Sequence, residues 1–357
     1  MIRQLPTPRA VLVAGLALIA LLVSIDLTLQ SLLVPIWGVD AVVPYRAAAR
    51  WLAGDQPYLA SAFAAGSGYD VPFLYPPPFL VAFAPLTLLP VEAVIMGANI
   101  VALVASYAAV RRLGLPAAVA ALVLLWPPFS GAIAGGNAQA VMFAAFAWLY
   151  WDRVQPGATA PRTRDPGAAG RPAIVDGLLA ACIPAAKVSQ AHAWVGLVRA
   201  RPRAALLGAG AAIVVVIALL PLTGLDAWAA WLAQTGRAAD PSWTLRGSSL
   251  TRDLPATVTE GVAFVTMLGA LIMPRRRIGS WIGLLTVLGA PTLRLYGVIF
   301  ALPAMLELRR EVALAAAILV ATYTFEGLWL GIGLITVAYA LGTRVPWLLE
   351  PTTPQVT

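Results

Sequence analysis

The side chains able to do chemistry are few in this chain, and where they stand is informative. The only lysine, Lys187, and the only histidine, His192, share one interruption of an apolar stretch, with Ser189 and Gln190 between them. A second apolar stretch is interrupted by Pro291-Thr-Leu-Arg294-Leu-Tyr296. An ammonium and a guanidinium set among apolar residues suit a phosphate or another anion. Three acids, Asp40, Asp55 and Asp70, share one polar segment, 38–77. A carboxylate there can take a proton from a hydroxyl. The three can also bind a divalent cation, although no local ligand spacing supports it, so no cofactor is expected and a metal is left open. With one His and one Cys (Cys182), neither a zinc site nor an internal disulfide is expected. Gly135-Gly136-Asn137 is too short for a phosphate loop, and no nucleotide-binding glycine motif occurs.

The elements that must position these groups are membrane helices. Of 357 residues, 60% are hydrophobic and only 11% charged, less than half the charge of a soluble domain. All 24 basic residues except Lys187 are Arg, and most fall in short clusters between apolar runs. The net charge of +8 therefore reads as membrane orientation, and nucleic-acid binding gains no support. Placing each cluster in the cytoplasm predicts an all-α polytopic protein, a single domain over 1–357 with about twelve crossings and an outward-facing cavity. The first is an uncleaved helix near 10–37, and both termini are cytoplasmic. Segments 38–77 and 223–257 then face outward, and 152–172, rich in Pro, Gly, Ala and Arg, reads as a cytoplasmic connector. The run 78–112 is too long for one span; its first part reads as a tilted or re-entrant half-helix.

Two hairpins are too short to cross. The arms of 173–198 have about 11 to 14 residues each, roughly 16 to 21 Å as helix, against a hydrocarbon core of about 30 Å. The segment 278–307 repeats the pattern. Their tips stop within the membrane, and charged groups at that depth must face protein or water. An outward-open polar cavity floored by Lys187 and Arg294 follows, with an anionic group bound there. The plainer alternative is that both side chains snorkel to the interface.

The first outer segment reads as a surface amphipathic helix over 41–53. Arg46 and Arg50 stand on one face, and Tyr45, Ala48, Ala49 and Leu52 on another. Turn chemistry follows at Gly54-Asp55-Gln56-Pro57-Tyr58, then a stiff entry at Tyr75-Pro76-Pro77-Pro78-Phe79. The run Asp40…Tyr45…Ala48-Ala49…Leu52…Gly54…Pro57-Tyr58 with Tyr75-Pro76-Pro77 resembles the first outer loop of glycosyltransferase family 87. Gly136-Asn137-Ala-Gln139, Lys187 after a Gly-Leu-Leu-Ala helix, and Pro291…Tyr296 extend the likeness over roughly 10–343. Two departures are that Val188 stands where the family has Pro, and that His192 has no clear counterpart.

The resemblance implies a C-type, polyprenyl-phosphate-sugar-dependent transferase. Such an enzyme moves one sugar, mannose or else arabinofuranose, from a polyprenyl monophosphate to an acceptor hydroxyl on a lipid or cell-envelope glycan. Transfer is inverting, at the outer face of the plasma membrane. Carried over by position, Asp40 is the general base. Lys187, Arg294 and His192 are assigned to the donor phosphate, and Tyr45, Tyr58, Tyr75, Asn137, Gln139 and Tyr296 to substrate. Arg246 and Ser249, in a second outer segment rich in hydroxyls and guanidiniums, suit the same purpose.

Each assignment has a plain counterpart. Asp40 can cap the helix that follows it, Asp55 and Asp70 read better as turn residues, and His192 serves equally as a packing residue. Asp26, an acid inside the first helix, earns a functional hypothesis by its depth alone. Trp228 and Trp231 read as an interfacial belt. The rival functions are a secondary transporter, which lacks the matching halves expected of that class, and a lipid-binding or flippase protein without transferase chemistry.

Overall fold

The structure, a computed structural model, describes residues 7–33, 38–58, 73–151, 171–238, 249–274, 277–322, 324–342 and 345–349. All regular elements among them are helical. In chain order they are α1 (Pro8–Leu33), α2 (Val39–Leu52), α3 (Pro78–Phe83), α4 (Val91–Arg112), α5 (Ala117–Val123), α6 (Pro127–Gly135), α7 (Gln139–Tyr150), α8 (Ala173–Ala186), α9 (His192–Ala200), α10 (Pro202–Ala238), α11 (Ala256–Ile272), α12 (Ile278–Leu288), α13 (Leu302–Glu307), α14 (Arg310–Ala321) and α15 (Phe325–Gly342). Short 3-10 turns join α3 to α4 (Ala84–Leu88) and precede α13 (Leu295–Ala301).

The expectation of about twelve crossings is overturned. Among the described residues only 4 helices are long and apolar enough to span: Pro8–Leu29, Val91–Arg112, Pro202–Gly236 and Phe325–Gly342. A fifth span arises only if α5 and α6, bent by 75° at their junction, count as one. The physical reason is length. The apolar runs at α7, α8, α9, α12, α13 and α14 make helices of 6 to 14 residues, at most about 21 Å long. Much of their hydrophobicity is met by protein: α7 is buried at Phe143, Phe146 and Tyr150, and α12 at Ile282, Leu284 and Val287. By contrast α1 and α10 leave Leu22, Leu29, Val214 and Ile217 more than half exposed, as lipid-facing helices do. Hydropathy counted apolar runs without separating these two surroundings.

The short elements pack round an aromatic centre. Phe143 lies edge-on to Phe300 with ring centroids 5.5 Å apart, and Phe146 stands 5.1 Å from the same ring. Glycines let backbones close in: a side chain at Gly283 of α12 would collide with the Phe300 carbonyl, and one at Gly177 of α8 with the backbone of α10.

An ion pair closes the base of each short hairpin. Buried Asp176 at the start of α8 accepts from Arg201, which follows α9, at 2.5 Å, and lies 3.4 Å from Arg171. Glu307, ending α13, lies 3.2 Å from Arg277 before α12, and accepts from Ser280 (2.5 Å) and Tyr339 (3.0 Å). The tips are joined as well, because Lys187 Nζ donates to the Thr292 carbonyl at 3.2 Å.

Helix α10 turns at Gly224 (φ 72°), just after Pro221, and its later part packs on α3. There Trp231 donates to the Leu74 carbonyl at 3.0 Å. Helix α2 buries Ala41, Pro44, Ala47 and Ala48. Its apolar face is thus rotated from the expected one, leaving Ala49 and Leu52 exposed, because α3 and α4 cover the side that carries the small residues.

Candidate active site

Asp40 is set by two helix ends that meet. Gly38 caps α2 in the left-handed conformation (φ 70°), and its N–H donates to the Ala134 carbonyl of α6 at 2.9 Å. A side chain at Gly38 would strike Ile95 of α4, so glycine is required by space as well as by φ. Asp40 then falls in the first turn of α2, where the helix dipole favours a carboxylate. Helix α6 ends at Gly135 and the left-handed Gly136 (φ 63°). A Cβ at Gly135 would stand 2.6 Å from Asp40 Oδ2. The carboxylate therefore rests on bare backbone.

Asn137 follows and is held in one orientation. Its Oδ1 accepts from the Gln139 N–H at 2.7 Å, which starts α7 and leaves the amide N–H groups as donors. The same side chain hydrogen-bonds Asp40 and the Tyr296 hydroxyl.

Two cations complete the arrangement. Lys187, from the tip between α8 and α9, and Arg294, from the tip before α13, both act electrostatically on Asp40. Burial raises the Asp40 carboxyl above its ordinary value; Asn137, Lys187 and Arg294 pull it back down. The Tyr75 phenol is pushed up by burial and then by the Asp40 charge, so Tyr75 belongs to the same group. Asp40, Tyr75, Asn137, Lys187, Arg294 and Tyr296 thus converge from five separate parts of the chain.

The remaining candidates stand elsewhere or serve the packing. Tyr45 donates to the Leu89 carbonyl (3.1 Å) and Tyr58 to the Tyr75 carbonyl (3.0 Å); Tyr58 is buried against Phe73. Ser249 donates to the Ala290 carbonyl at 2.9 Å, tying its segment to the end of α12. Gln139 is buried beside Gly297. His192 is buried with Nε2 3.0 Å from Thr266 Oγ1. That hydroxyl already donates to α11 carbonyls, so His192 Nε2 is the donor, and the ring is not among the groups acting on Asp40. Asp26 is exposed on α1, and Asp55 caps a turn through its N–H to Arg50. Trp228 stacks edge-on with Trp231. Arg246, Asp70 and nearly all of the 152–172 connector lie outside the described residues, as does the Ser189 side chain. Among the described residues no group of three or more His, Cys, Asp or Glu is able to hold a metal ion.

Sequence reasoning missed Gly135 and Thr292, whose importance comes from contacts with Asp40 and Lys187 across the fold. The glycine pair at 135–136 was the one visible signal.

A cavity of about 400 Å³ opens beside the carboxylate, lined by Asp40, Tyr75 and Asn137 and by apolar residues that include Phe79 and Phe83 of α3, Val94 and Val101 of α4, and Val141 of α7. Residues 73–259, more than half of the chain, match glycosyltransferase family 87. The chain belongs to that family. The matched part of this family 87 protein holds Tyr75, Asn137, Gln139 and Lys187, whereas Asp40, Arg294 and Tyr296 are joined to it by the fold. No curated protein and no solved structure matches the chain. Family membership makes this a glycosyltransferase-type membrane protein.

Proposed function

We propose that this family 87 protein transfers a sugar, mannose in the first instance, from a polyprenyl monophosphate to an acceptor hydroxyl at the outer face of the membrane, with inversion. Asp40 is the general base. It takes the hydroxyl proton as the acceptor oxygen bonds to the anomeric carbon. The bond from that carbon to the phosphate oxygen breaks with its electron pair, and polyprenyl phosphate leaves. Base assistance of this kind contributes about 10² to 10⁴ in rate.

Lys187 and Arg294 receive the phosphate. Charge that gathers on a leaving group is stabilised most by fixed cations in a site that excludes water. Lys187 is fixed by its bond to the Thr292 carbonyl, and both hairpins are anchored at their bases by the Asp176 and Glu307 ion pairs. The observation that carries the reading is the convergence of one carboxylate and two cations from three distant segments. Asn137 orients the base, and Tyr75 and Tyr296 stand within electrostatic reach of it.

The test is transfer by the purified protein from synthetic polyprenyl-phosphate mannose, with the product's anomeric configuration read by NMR. Inverted product is expected. Retention, or no transfer to any acceptor tried in native membranes, sinks the proposal.

A further inference from the structure

His192 starts α9, a few residues after Lys187, and is wholly buried. It reaches across to α11 through Nε2, which donates to Thr266 Oγ1 at 3.0 Å. With the proton on Nε2, Nδ1 is left as a bare acceptor, and it has no partner among the described residues. Burying such an atom is unfavourable. An apolar side chain would pack here without that cost, so what the ring contributes is its bond to α11.

Helix α12 ends against the same bond. A side chain at Gly289, which caps α12, would collide with Thr266 Oγ1 and stand 3.0 Å from His192 Nε2. The φ of Gly289 is −89°, which suits any residue, so glycine is required by space alone. Just beyond it in the chain the Thr292 carbonyl accepts from Lys187, and Arg294 follows. The stretches Lys187–His192 and Gly289–Thr292 are therefore tied at both ends. The ammonium joins them at one end, and the imidazole, the Thr266 hydroxyl and the bare glycine meet at the other. Helices α9 and α11 are bonded once more near their far ends, where Arg199 donates to the Met273 carbonyl at 2.5 Å. The two bonds have the same spacing on each side, 192 to 199 and 266 to 273, about two helical turns. That holds α9 along α11 in one register, with His192 at the tip end.

We infer that His192, Thr266 and Gly289 form a joint that sets where Lys187 stands relative to Arg294, and that they are positioning residues for the donor phosphate rather than ligands of it. They act through Lys187 and Thr292. This rests on the transfer reaction above and adds what fixes the spacing of its two cations. Lys187 and Arg294 stand within electrostatic reach of each other, and two cations share one phosphate only over a narrow range of separations.

The experiment is steady-state transfer by the purified full chain from polyprenyl-phosphate mannose, with donor and acceptor varied separately and Tm read on the same samples. Thr266→Val keeps the shape and removes the acceptor of the bond. Its donor KM is expected to rise about fivefold, the net value of one hydrogen bond, with acceptor KM within about twofold. A change that merely loosened the fold would reduce the active fraction, and so kcat, while leaving both KM values in place. His192→Leu should match Thr266→Val, and the two together should do no more than either, because both cut one bond. His192→Gln can extend an amide N–H to Thr266 and should stay within about twofold of the parent. Gly289→Ala, which forces the end of α12 off the joint, should raise donor KM at least as far as Thr266→Val. Arg199→Leu cuts only the far bond and should lower Tm with donor KM within about twofold. Thr266→Val carries the test if His192→Leu fails to accumulate.

Unchanged donor KM in Thr266→Val overturns this inference and leaves the transfer reaction standing. If it is accompanied by a rise in both His192→Leu and His192→Gln, the imidazole belongs on the donor itself. An equal rise in Arg199→Leu overturns the inference too, since the effect would then belong to the whole hairpin. A parent that neither transfers from nor binds polyprenyl-phosphate mannose overturns the transfer reaction, and this inference with it.

Discussion

Gly135 lies so close to Asp40 that a Cβ on it would stand 2.6 Å from the carboxylate Oδ2. The end of α6 is the surface against which the proposed base is held. Gly135→Ala must push the carboxylate off this seat. Misplacement of a reacting group by about 1 Å lowers rate roughly 10²-fold. We expect that loss in kcat, with Gly131→Ala, where a Cβ meets nothing within 4 Å, behaving as the parent. Near-parent activity of Gly135→Ala in a steady-state transfer assay would show that the position of Asp40 is not critical.

Asn137 offers a sign-specific test. Its donation to Asp40 lowers a carboxyl that burial raises. A serine at 137 can still accept from the Gln139 N–H but cannot extend a donor to Asp40. In Asn137→Ser the acid limb of the kcat/KM profile should therefore move to higher pH. A limb that stays in place, or moves to lower pH, contradicts the bond.

The same burial affects stability. Because the folded carboxyl lies above its ordinary value of 3.8, its protonated form favours the folded state. That contribution is full below the unfolded value and is lost as pH rises through the folded one. Asp40→Asn removes the buried charge, so its Tm at neutral pH should exceed the parent's. The gain should shrink as pH falls toward 3.8. A lower Tm for Asp40→Asn at neutral pH would mean that Lys187 and Arg294 outweigh the burial.

The hairpin bases have a structural task that separates from chemistry. Asp176 is buried, with Arg201 at 2.5 Å. Removing one partner of a buried pair costs about 3–5 kcal/mol. Asp176→Ala should fall in that range by denaturant unfolding, and pairing it with Arg201→Met should recover much of the loss. Equal destabilisation by the single and double changes would remove the ion pair from the account.

The legible parts of this site were those set by length and charge. Arms of about 11 to 14 residues are too short to cross a core of about 30 Å; the structure places Lys187 between α8 and α9 and Arg294 before α13, and joins the two tips where Lys187 donates to the Thr292 carbonyl. The count of crossings failed because an apolar run looks the same whether lipid or protein surrounds it. In α12 the surroundings are protein, with Ile282 and Leu284 wholly buried; in α10 Ile217 is 63% exposed. Tyr45 and Tyr58 carried the right residue type for a substrate site, yet their hydroxyls serve the Leu89 and Tyr75 carbonyls. Nothing local in the sequence tells a binding phenol from one that braces a loop. The seat at Gly135 was hidden for a similar reason: it depends on α2 and α6, far apart in the chain, meeting end to end.

Lys187 should act on the donor. Lys187→Ala removes the cation without altering α2, so we expect donor KM to rise about tenfold or more, the value of one charge-assisted contact. Unchanged donor KM and kcat would refute the phosphate assignment.

The most direct measurement is the steady-state comparison of the parent with Asp40→Asn, varying polyprenyl-phosphate mannose at saturating membrane acceptor. The account predicts that kcat falls at least about a hundredfold, the contribution of a general base, while donor KM stays near the parent's because Lys187 and Arg294 are untouched. Equal kcat in the two proteins would contradict it.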